Sequence, residues 1–295
     1  MIRLSWIVFV HAIILSAESI IIEKLTTDLK LDPLAIAANS IAIAGTSALL
    51  ISLTLQQSRG LEIFRAWRCL VPGSMFLGAG IFMWYDSVER VGASKEGLLA
   101  GPLETVVVLL LARMILHERL LRPQIAGAMI ALTGFFVTVI SGSSPAELVI
   151  NLGDIEAILS AAAFGVGIIF ISKLAAVYRS LSVTSSSLFI SGLILAIAFW
   201  FNRSPALTSL EWATVLLFSV LPLSAALTYV MGLARIGASL TSTIGSLSIL
   251  LTVIFQIVLV SLGIRMSLPA NIPLALTGGI LGVFGIYLIH KVRKN

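Results

Sequence analysis

Apolar residues fill this chain in long runs, and short stretches of charged and turn-forming residues separate the runs. A helix needs about 20 apolar residues to cross the hydrocarbon core of a bilayer. Because lipid offers no water to unpaired backbone groups, such a run must be helical. The pattern predicts ten transmembrane helices, at residues 4–22, 34–55, 69–85, 94–116, 124–141, 153–177, 182–201, 210–234, 239–262 and 272–289.

The composition supports this prediction. The chain is 58% hydrophobic and only 11% charged, with a mean hydropathy of +1.08, whereas a soluble domain is about half apolar and about a quarter charged. The ten spans leave little chain for a soluble domain. The net charge of +5 lies in loops and near the C-terminus, where orientation signals belong, so it does not indicate a nucleic-acid partner.

The distribution of basic residues predicts the orientation. With the N-terminus inside, thirteen of the 19 lysine and arginine residues fall on the inner side, and cytoplasmic segments of membrane proteins carry such an excess. We therefore expect both termini in the cytoplasm, in the cytoplasmic membrane of a prokaryote. The first span is expected to be retained, because Glu23, Lys24 and a turn at Asp32-Pro33 follow it in place of a small-residue cleavage site.

Two short patterns recur in the same order in the two halves of the chain. Residues 90–94 (RVGAS) open the fourth span, and residues 235–239 (RIGAS) open the ninth. The fifth span carries Gly127 and Gly134, and the tenth carries Gly278 and Gly285 with the same spacing. The recurrence predicts duplicated halves, residues 1–141 and 153–295, joined by a loop at 142–152.

The number of spans in each half has a consequence for topology. Five spans are an odd number, so the second half must cross the membrane in the opposite sense to the first. Inverted repeats of this kind are typical of secondary transporters, whose substrate site lies near the membrane midplane between the repeats. The predicted fold is thus an all-α integral membrane protein with ten transmembrane helices as two inverted five-helix repeats.

The segment from the fourth to the fifth span resembles the EamA-like branch of the drug/metabolite transporter superfamily. The matching features are small residues at the start of the fourth span, a proline within it, a glutamate at its end and glycines in the fifth span: residues 92–94 (GAS), Pro102, Glu118, Gln124, Gly127 and Gly134. The resemblance implies a ten-helix carrier of small metabolites, often an exporter. The second half departs from the pattern, with Leu247 and Gly263 where Pro102 and Glu118 would repeat.

Glu104 is the polar residue that costs the most to bury in the fourth span. It lies about ten residues from the outer end, which is roughly 14 Å deep, and a charge at that depth costs a few kcal/mol unless it faces a cavity or a partner. Its hypothetical roles are reversible proton binding or pairing with a substrate ammonium group, and the alternative is a hydrogen bond to a neighbouring helix. Pro102 is expected to kink this helix.

Two further glutamates are candidates for the same site. Glu96 precedes Glu104 by eight residues and shares its helix face, but it lies near the predicted outer mouth, where a solvated rim is the simpler explanation. Glu18 lies in the first span, where it either binds substrate or protons or forms a structural pair with Lys24 or another helix. An ionisable residue inside the membrane is by default a functional hypothesis.

Other polar and aromatic residues within the spans are candidates for orienting a substrate. Histidine can shuttle protons, but a single one more often bonds a neighbouring helix. Tryptophans at span ends are typical membrane anchors, and the pair Trp84-Tyr85 is the first exception we expect. These candidates are His11, Asn39, Trp84, Tyr229 and Gln256.

Glu118 lies at the inner end of the fourth span, among Arg113, Arg119 and Arg122. We interpret it as a structural pairing at the cytoplasmic face or as part of an inner gate.

Several kinds of chemistry lack the residues they need. There is no phosphate-binding GxxxxGK[ST] loop, no His/Cys cluster with metal-ligand spacing and no nucleophile–histidine–acid set. We therefore expect neither an enzyme nor a cofactor or metal site. Our first hypothesis is a proton-coupled carrier, usually an exporter, of amino acids or related amines, because acidic residues within the spans outnumber basic ones. The alternatives are an organophosphate or nucleotide-sugar exchanger, a multidrug cation exporter and a non-transporting membrane subunit; oligomeric state stays open.

Overall fold

A computed structural model describes residues 2–117, 122–141, 151–202, 207–268 and 271–291. Every regular element in these ranges is helical. Twelve α-helices follow one another, and one 3₁₀ segment, Gln57–Ala66, lies between the second and third. They are α1 Ile2–Thr27, α2 Pro33–Gln56, α3 Trp67–Val91, α4 Ala93–Ile115, α5 Arg122–Ser141, α6 Leu152–Ala175, α7 Ser180–Asn202, α8 Ser209–Phe218, α9 Val220–Ile236, α10 Ala238–Gly245, α11 Leu247–Ser261 and α12 Ile272–Lys291.

Eight stretches of the described chain are helical, long and apolar enough to cross a membrane. Two of them combine neighbouring helices: Ser209–Ile236 covers α8 and α9, and Ala238–Ser261 covers α10 and α11. The remaining two predicted spans correspond to shorter apolar stretches within α5 and α12, Ile125–Gly134 and Ile272–Gly285. The helical membrane class is confirmed, and eight spans, rather than the predicted ten, meet the full length and hydropathy of a crossing.

The predicted eighth and ninth spans are each interrupted. The first break falls at Ser219, three residues before Pro222, whose ring nitrogen cannot donate to the carbonyl of Phe218. The second break falls at Ser246, beside Gly245, and two residues further on the Ser16 hydroxyl of α1 donates to the Ser248 carbonyl at 2.9 Å. Glycine–serine pairs and hydroxyls inserted into the helix ladder are known causes of such bends.

The repeated RxGAS motif forms a helix junction in both halves. Gly92 separates α3 from α4 with φ +83°, and Gly237 separates α9 from α10 with φ +82°. Side chains rarely adopt this left-handed region, whereas glycine enters it freely. The two glycines in the motif therefore meet the same conformational need.

The helix ends define two faces of the molecule. We call the face where α1 ends and α4 begins the distal face, and the face where α1 begins the proximal face. At the distal face the Ser87 hydroxyl donates to the Gly153 carbonyl at 2.8 Å. Two ion pairs also lie there, Arg90–Glu156 at 3.0 Å and Lys95–Asp154 at 2.7 Å. These contacts hold α3 and α4 against the start of α6.

Helices α5 and α12 cross at their glycines. A Cβ atom added to Gly134 would lie 2.5 Å from the Gly278 carbonyl oxygen and 2.7 Å from the Gly282 nitrogen, and one added to Gly285 would overlap the Gly127 carbonyl. Small residues allow membrane helices to pack with their backbones this close. The glycines that recur in the sequence are thus the contact surface between the fifth and tenth predicted spans.

Two apolar clusters lie toward opposite faces. The distal cluster is built around Tyr85 and Val88 of α3 and includes Phe218 of α8. The proximal cluster includes Ile63 of the 3₁₀ segment and Leu174 of α6. Members of both clusters line the cavity that lies between them.

Candidate functional site

A cavity of about 190 Å³ opens between the helices near the middle of the molecule. Its lining comes from α1, α2, α3, α4, α6, α7, α9, α10 and α11, so both halves of the chain contribute. Most lining residues are apolar. The titratable side chains among its described lining residues are three glutamates, one histidine and one tyrosine: Glu18, Glu96, Glu104, His11 and Tyr229.

Glu18 is a buried member of this group. It is 2% exposed, and the Tyr85 hydroxyl of α3 donates a hydrogen bond of 2.8 Å to its Oε1 atom. Lys24, the alternative partner considered from the sequence, instead pairs with Asp28 at 3.1 Å and donates to the Arg265 carbonyl. The partner of Glu18 is therefore another helix.

Glu96 lies deeper than its sequence position indicated. It is only 3% exposed and lies beside the indole of Trp84 in the cavity wall. The interpretation of Glu96 as a solvated rim residue is therefore wrong. The neighbouring Lys95 does not neutralise Glu96, because its ammonium group forms an ion pair with Asp154.

Trp84 departs from the other tryptophans. It is 7% exposed, whereas Trp6, Trp67, Trp200 and Trp212 are 45% or more exposed, as anchors in lipid would be. Its ring packs edge-on against Phe164 with a centroid distance of 6.2 Å, and both rings line the cavity.

Glu104 is partly exposed to the cavity, and none of the described residues donates a hydrogen bond to its carboxyl group. It interacts electrostatically with Glu96 and with Tyr229. The Tyr229 hydroxyl is buried beside Ser242 without forming a hydrogen bond to a described residue. The Glu104 carboxyl group is thus available to a molecule in the cavity, whereas the Tyr229 hydroxyl is buried in the cavity wall.

The second half of the chain offers no carboxyl group in the corresponding position. Ile249 is the counterpart of Glu104 at the 145-residue offset of the RxGAS motif, and it also lines the cavity. A Cβ atom on Gly101 of α4 would lie 2.6 Å from the Ile249 Cγ1 atom, so the glycine makes room for this side chain. The cavity is therefore asymmetric in charge.

His11 both bonds a neighbouring helix and lines the cavity. Its Nδ1 atom donates to the Ala225 carbonyl of α9 at 2.9 Å, which leaves Nε2 as the acceptor of the neutral ring. The ring lies 4.9 Å from the Tyr229 ring, between centroids. The hydrogen bond fixes the imidazole so that the opposite nitrogen can serve a ligand.

The family of the chain follows from comparison with known proteins. The sequence model of the EamA-like transporter family matches residues 4–140 and again residues 151–290. The chain belongs to the EamA-like transporter family. The resemblance seen at residues 92–94, Pro102 and Gly134 is confirmed, and the two matches fall in the two halves of the chain.

The fold of this EamA-like transporter has also been seen in a solved structure. A chain described as "Crystal structure of protein" aligns over 99% of both chains with a TM-score of 0.72 and 19% sequence identity. At this identity the likeness concerns the fold alone. A comparison with curated proteins finds no match.

Six of the predicted site residues lie together in the cavity lining of the EamA-like transporter: His11, Glu18, Trp84, Glu96, Glu104 and Tyr229. Two others lie outside it. The Asn39 amide donates to the Ala35 carbonyl of its own helix at 2.8 Å, and the Gln256 amide donates to Glu23 at 2.6 Å. Their roles in substrate orientation stay predictions.

The two remaining sequence predictions concern α4. This helix continues through Pro102, which is buried, and the kink at that residue stays a prediction. Glu118 lies outside the described residues.

Some residues of the site were missed from the sequence. Tyr85 was considered only together with Trp84, although its hydroxyl is the partner of Glu18. Glu23 was treated as a charge that ends the first span, yet it is buried and accepts three hydrogen bonds. Its spacing from Ser16 and Ser19 on one face of α1 was the available signal.

Proposed function

We propose that the protein is a secondary active transporter that exports small metabolites bearing an ammonium group, amino acids foremost. The family is a transporter family, and the proposal concerns its substrate class, direction and coupling. The observation that carries it is the charge of the central cavity, where Glu18, Glu96 and Glu104 meet no lysine or arginine among the described lining residues.

A carboxyl group in an apolar cavity favours a cation over an anion. An ionised carboxylate inside the membrane is costly unless a partner compensates it, and a substrate ammonium group or a proton supplies that partner. A phosphate ester would need arginine or lysine donors, so the exchange of organophosphates or nucleotide sugars is the weaker alternative.

The same carboxyl groups also support the proposed coupling of transport to protons. Glu104 has no protein donor among the described residues, so in the proposed cycle it carries a proton or the substrate ammonium group in turn. His11 and Tyr229, whose rings lie 4.9 Å apart, are the proposed polar contacts for the rest of the substrate. The two halves are proposed to rock as inverted repeats about this site.

One observation favours a second candidate function, the export of organic cations. Trp84 and Phe164 contribute aromatic rings to the same cavity as the glutamates. Aromatic faces beside carboxylates bind quaternary ammonium groups by cation–π attraction. A bulky cation without a carboxylate would therefore also suit the cavity.

The experiment measures uptake into proteoliposomes under an imposed pH gradient, with labelled amino acids, a quaternary ammonium compound and a phosphate ester as separate substrates. We expect gradient-driven uptake of an amino acid or amine and none in protein-free liposomes. Uptake of the quaternary compound alone would favour the second candidate. Exchange of the phosphate ester without amine flux would contradict both.

A further inference from the structure

A further buried carboxyl group lies outside the cavity. Glu23 of α1 is 2% exposed and accepts hydrogen bonds from three separate segments. Its Oε2 atom accepts from the Ala93 backbone N–H at 2.9 Å and from the Gln256 amide at 2.6 Å. Its Oε1 atom accepts from the Ser267 backbone N–H at 2.7 Å.

These bonds join the two family-matched halves of the chain. Glu23 and Ala93 lie in the first half, whereas Gln256 and Ser267 lie in the second. Ala93 is the first residue of α4, whose own N-cap residue, Gly92, supplies no side-chain cap. The Glu23 carboxylate thus caps α4 from another helix, at the end where the helix dipole favours a negative charge.

Glu23, Ala93 and Gln256, which we call the Glu23 cluster, all lie at the same distance along their helices from the cavity lining. Each lies four residues beyond a cavity-lining residue of the same helix, namely Ser19, Gly97 and Thr252. Four residues are about one helical turn, or roughly 6 Å along the axis. The cluster therefore forms a layer across α1, α4 and α11, directly distal to the cavity.

Residues 262–268, the described part of the chain that follows α11, cover this layer. Ser267 belongs to that segment, and a Cβ atom on Gly92 would lie 2.7 Å from the Ser267 Cβ atom. The Lys24 ammonium group donates to the Arg265 carbonyl of the same segment. A path from the cavity to the distal face along these three helices must therefore break the bonds to Glu23.

We propose that Glu23 is the latch that holds the cavity closed toward the distal face, and that its hydrogen bonds break when the transporter opens to that side. The carboxylate is suited to this task because its donors come from elements that would separate on opening. Hydrogen bonds to an ionised group are also stronger than those between neutral groups. The inference concerns gating and is independent of which substrate the cavity binds.

The test measures how fast a membrane-impermeant thiol reagent reaches the cavity. In a Cys69→Ser background, Ser19→Cys places the single thiol in the cavity lining. The protein is reconstituted into two vesicle preparations with opposite orientations in the membrane. Labelling of Asp28→Cys in a parallel sample shows which preparation presents the distal face outward. Asp28 suits this purpose because its side chain is 59% exposed.

We expect Glu23→Gln to raise the rate of distal labelling by about tenfold, the effect of losing one hydrogen bond to an ionised carboxylate. Glutamine keeps the size of the side chain but has only one acceptor oxygen for three donors. Glu62→Gln is the matched control, since it makes the same substitution at an exposed residue of the 3₁₀ segment, away from the distal face, and it should leave the rate unchanged.

Gln256→Met serves as the second variant if Glu23→Gln fails to fold, because it removes one donor and keeps the carboxylate. It should give a smaller increase from the distal side. Unchanged distal labelling in a folded variant would overturn the proposal. An equal increase from both faces would also overturn it, because that result indicates general loosening.

Discussion

Tyr85 donates its hydroxyl hydrogen to the Oε1 atom of Glu18 at 2.8 Å, across 67 residues of sequence. Tyr85 is fully buried and Glu18 nearly so. Removing the hydrogen-bond donor of a buried carboxyl group destabilises the folded protein, because the carboxyl oxygen is left without a hydrogen bond. The pair therefore ties α1 to α3 beside the cavity.

Replacing Tyr85 with phenylalanine should lower the free energy of unfolding by about 1–3 kcal/mol, because Glu18 loses its donor. Thermal or denaturant unfolding of the purified protein measures the change. Tyr287→Phe is the matched control, since Tyr287 is 53% exposed, and its effect should stay within about 0.5 kcal/mol. Equal effects of the two substitutions would contradict this account of the pair.

The close packing of α5 against α12 predicts that alanine substitutions at two glycines of α12 have different effects on stability. Gly285→Ala should destabilise the protein by about 1–3 kcal/mol, the range for overpacking, because its Cβ would meet the backbone of Gly127 and Ala131. Gly282→Ala is the control, since nothing lies within 4 Å of its Cβ position. It should be neutral or stabilising by up to about 1 kcal/mol.

Both variants are compared by the same unfolding measurement. If Gly282→Ala cost as much as Gly285→Ala, close backbone approach would not be the reason for the glycine pattern.

Substitutions at Gly92 and Gly263 distinguish the energetic cost of backbone strain from the cost of steric crowding. Both have positive φ angles, +83° and +85°, but only Gly92 has a close neighbour, the Ser267 Cβ atom. Gly263→Ala should cost about 1–2 kcal/mol from the left-handed backbone alone, and Gly92→Ala should cost more. Combining Gly92→Ala with Ser267→Gly should recover the difference, as measured by unfolding in a double-mutant cycle. Strict additivity of the two changes would contradict the contact.

Much of the architecture could be predicted from the sequence because it depends on local properties. Long apolar runs must be helical in lipid, and a glycine that recurs in the same motif marks a local need, as at Gly92 and Gly237. The break after α8 also had a local signal in Pro222. The interruption at Ser246 had a weaker local signal in the Gly245–Ser246 pair, and the Ser16 hydroxyl that bonds the nearby Ser248 carbonyl comes from another helix.

The partners of the buried glutamates could not be predicted in this way. Glu23 and Gln256 are 233 residues apart in sequence, and only the packing of α1 against α11 brings them together. Glu96 was placed near water from its distance along α4, but the burial of a residue near a helix end depends on what covers that end. In this protein Trp84 and the surrounding helices cover it.

Glu104 is proposed to couple a proton or an ammonium group to transport, and a transport measurement on a Glu104 variant decides whether it does. Uptake of the labelled amine or amino acid under an imposed pH gradient is compared in the wild type, Glu104→Gln and Glu62→Gln. Glu62 is exposed in the 3₁₀ segment and provides the matched charge control. We predict that Glu104→Gln abolishes gradient-driven uptake while Glu62→Gln retains it. Transport by Glu104→Gln at the wild-type rate, with unchanged pH dependence, would contradict this coupling role of Glu104.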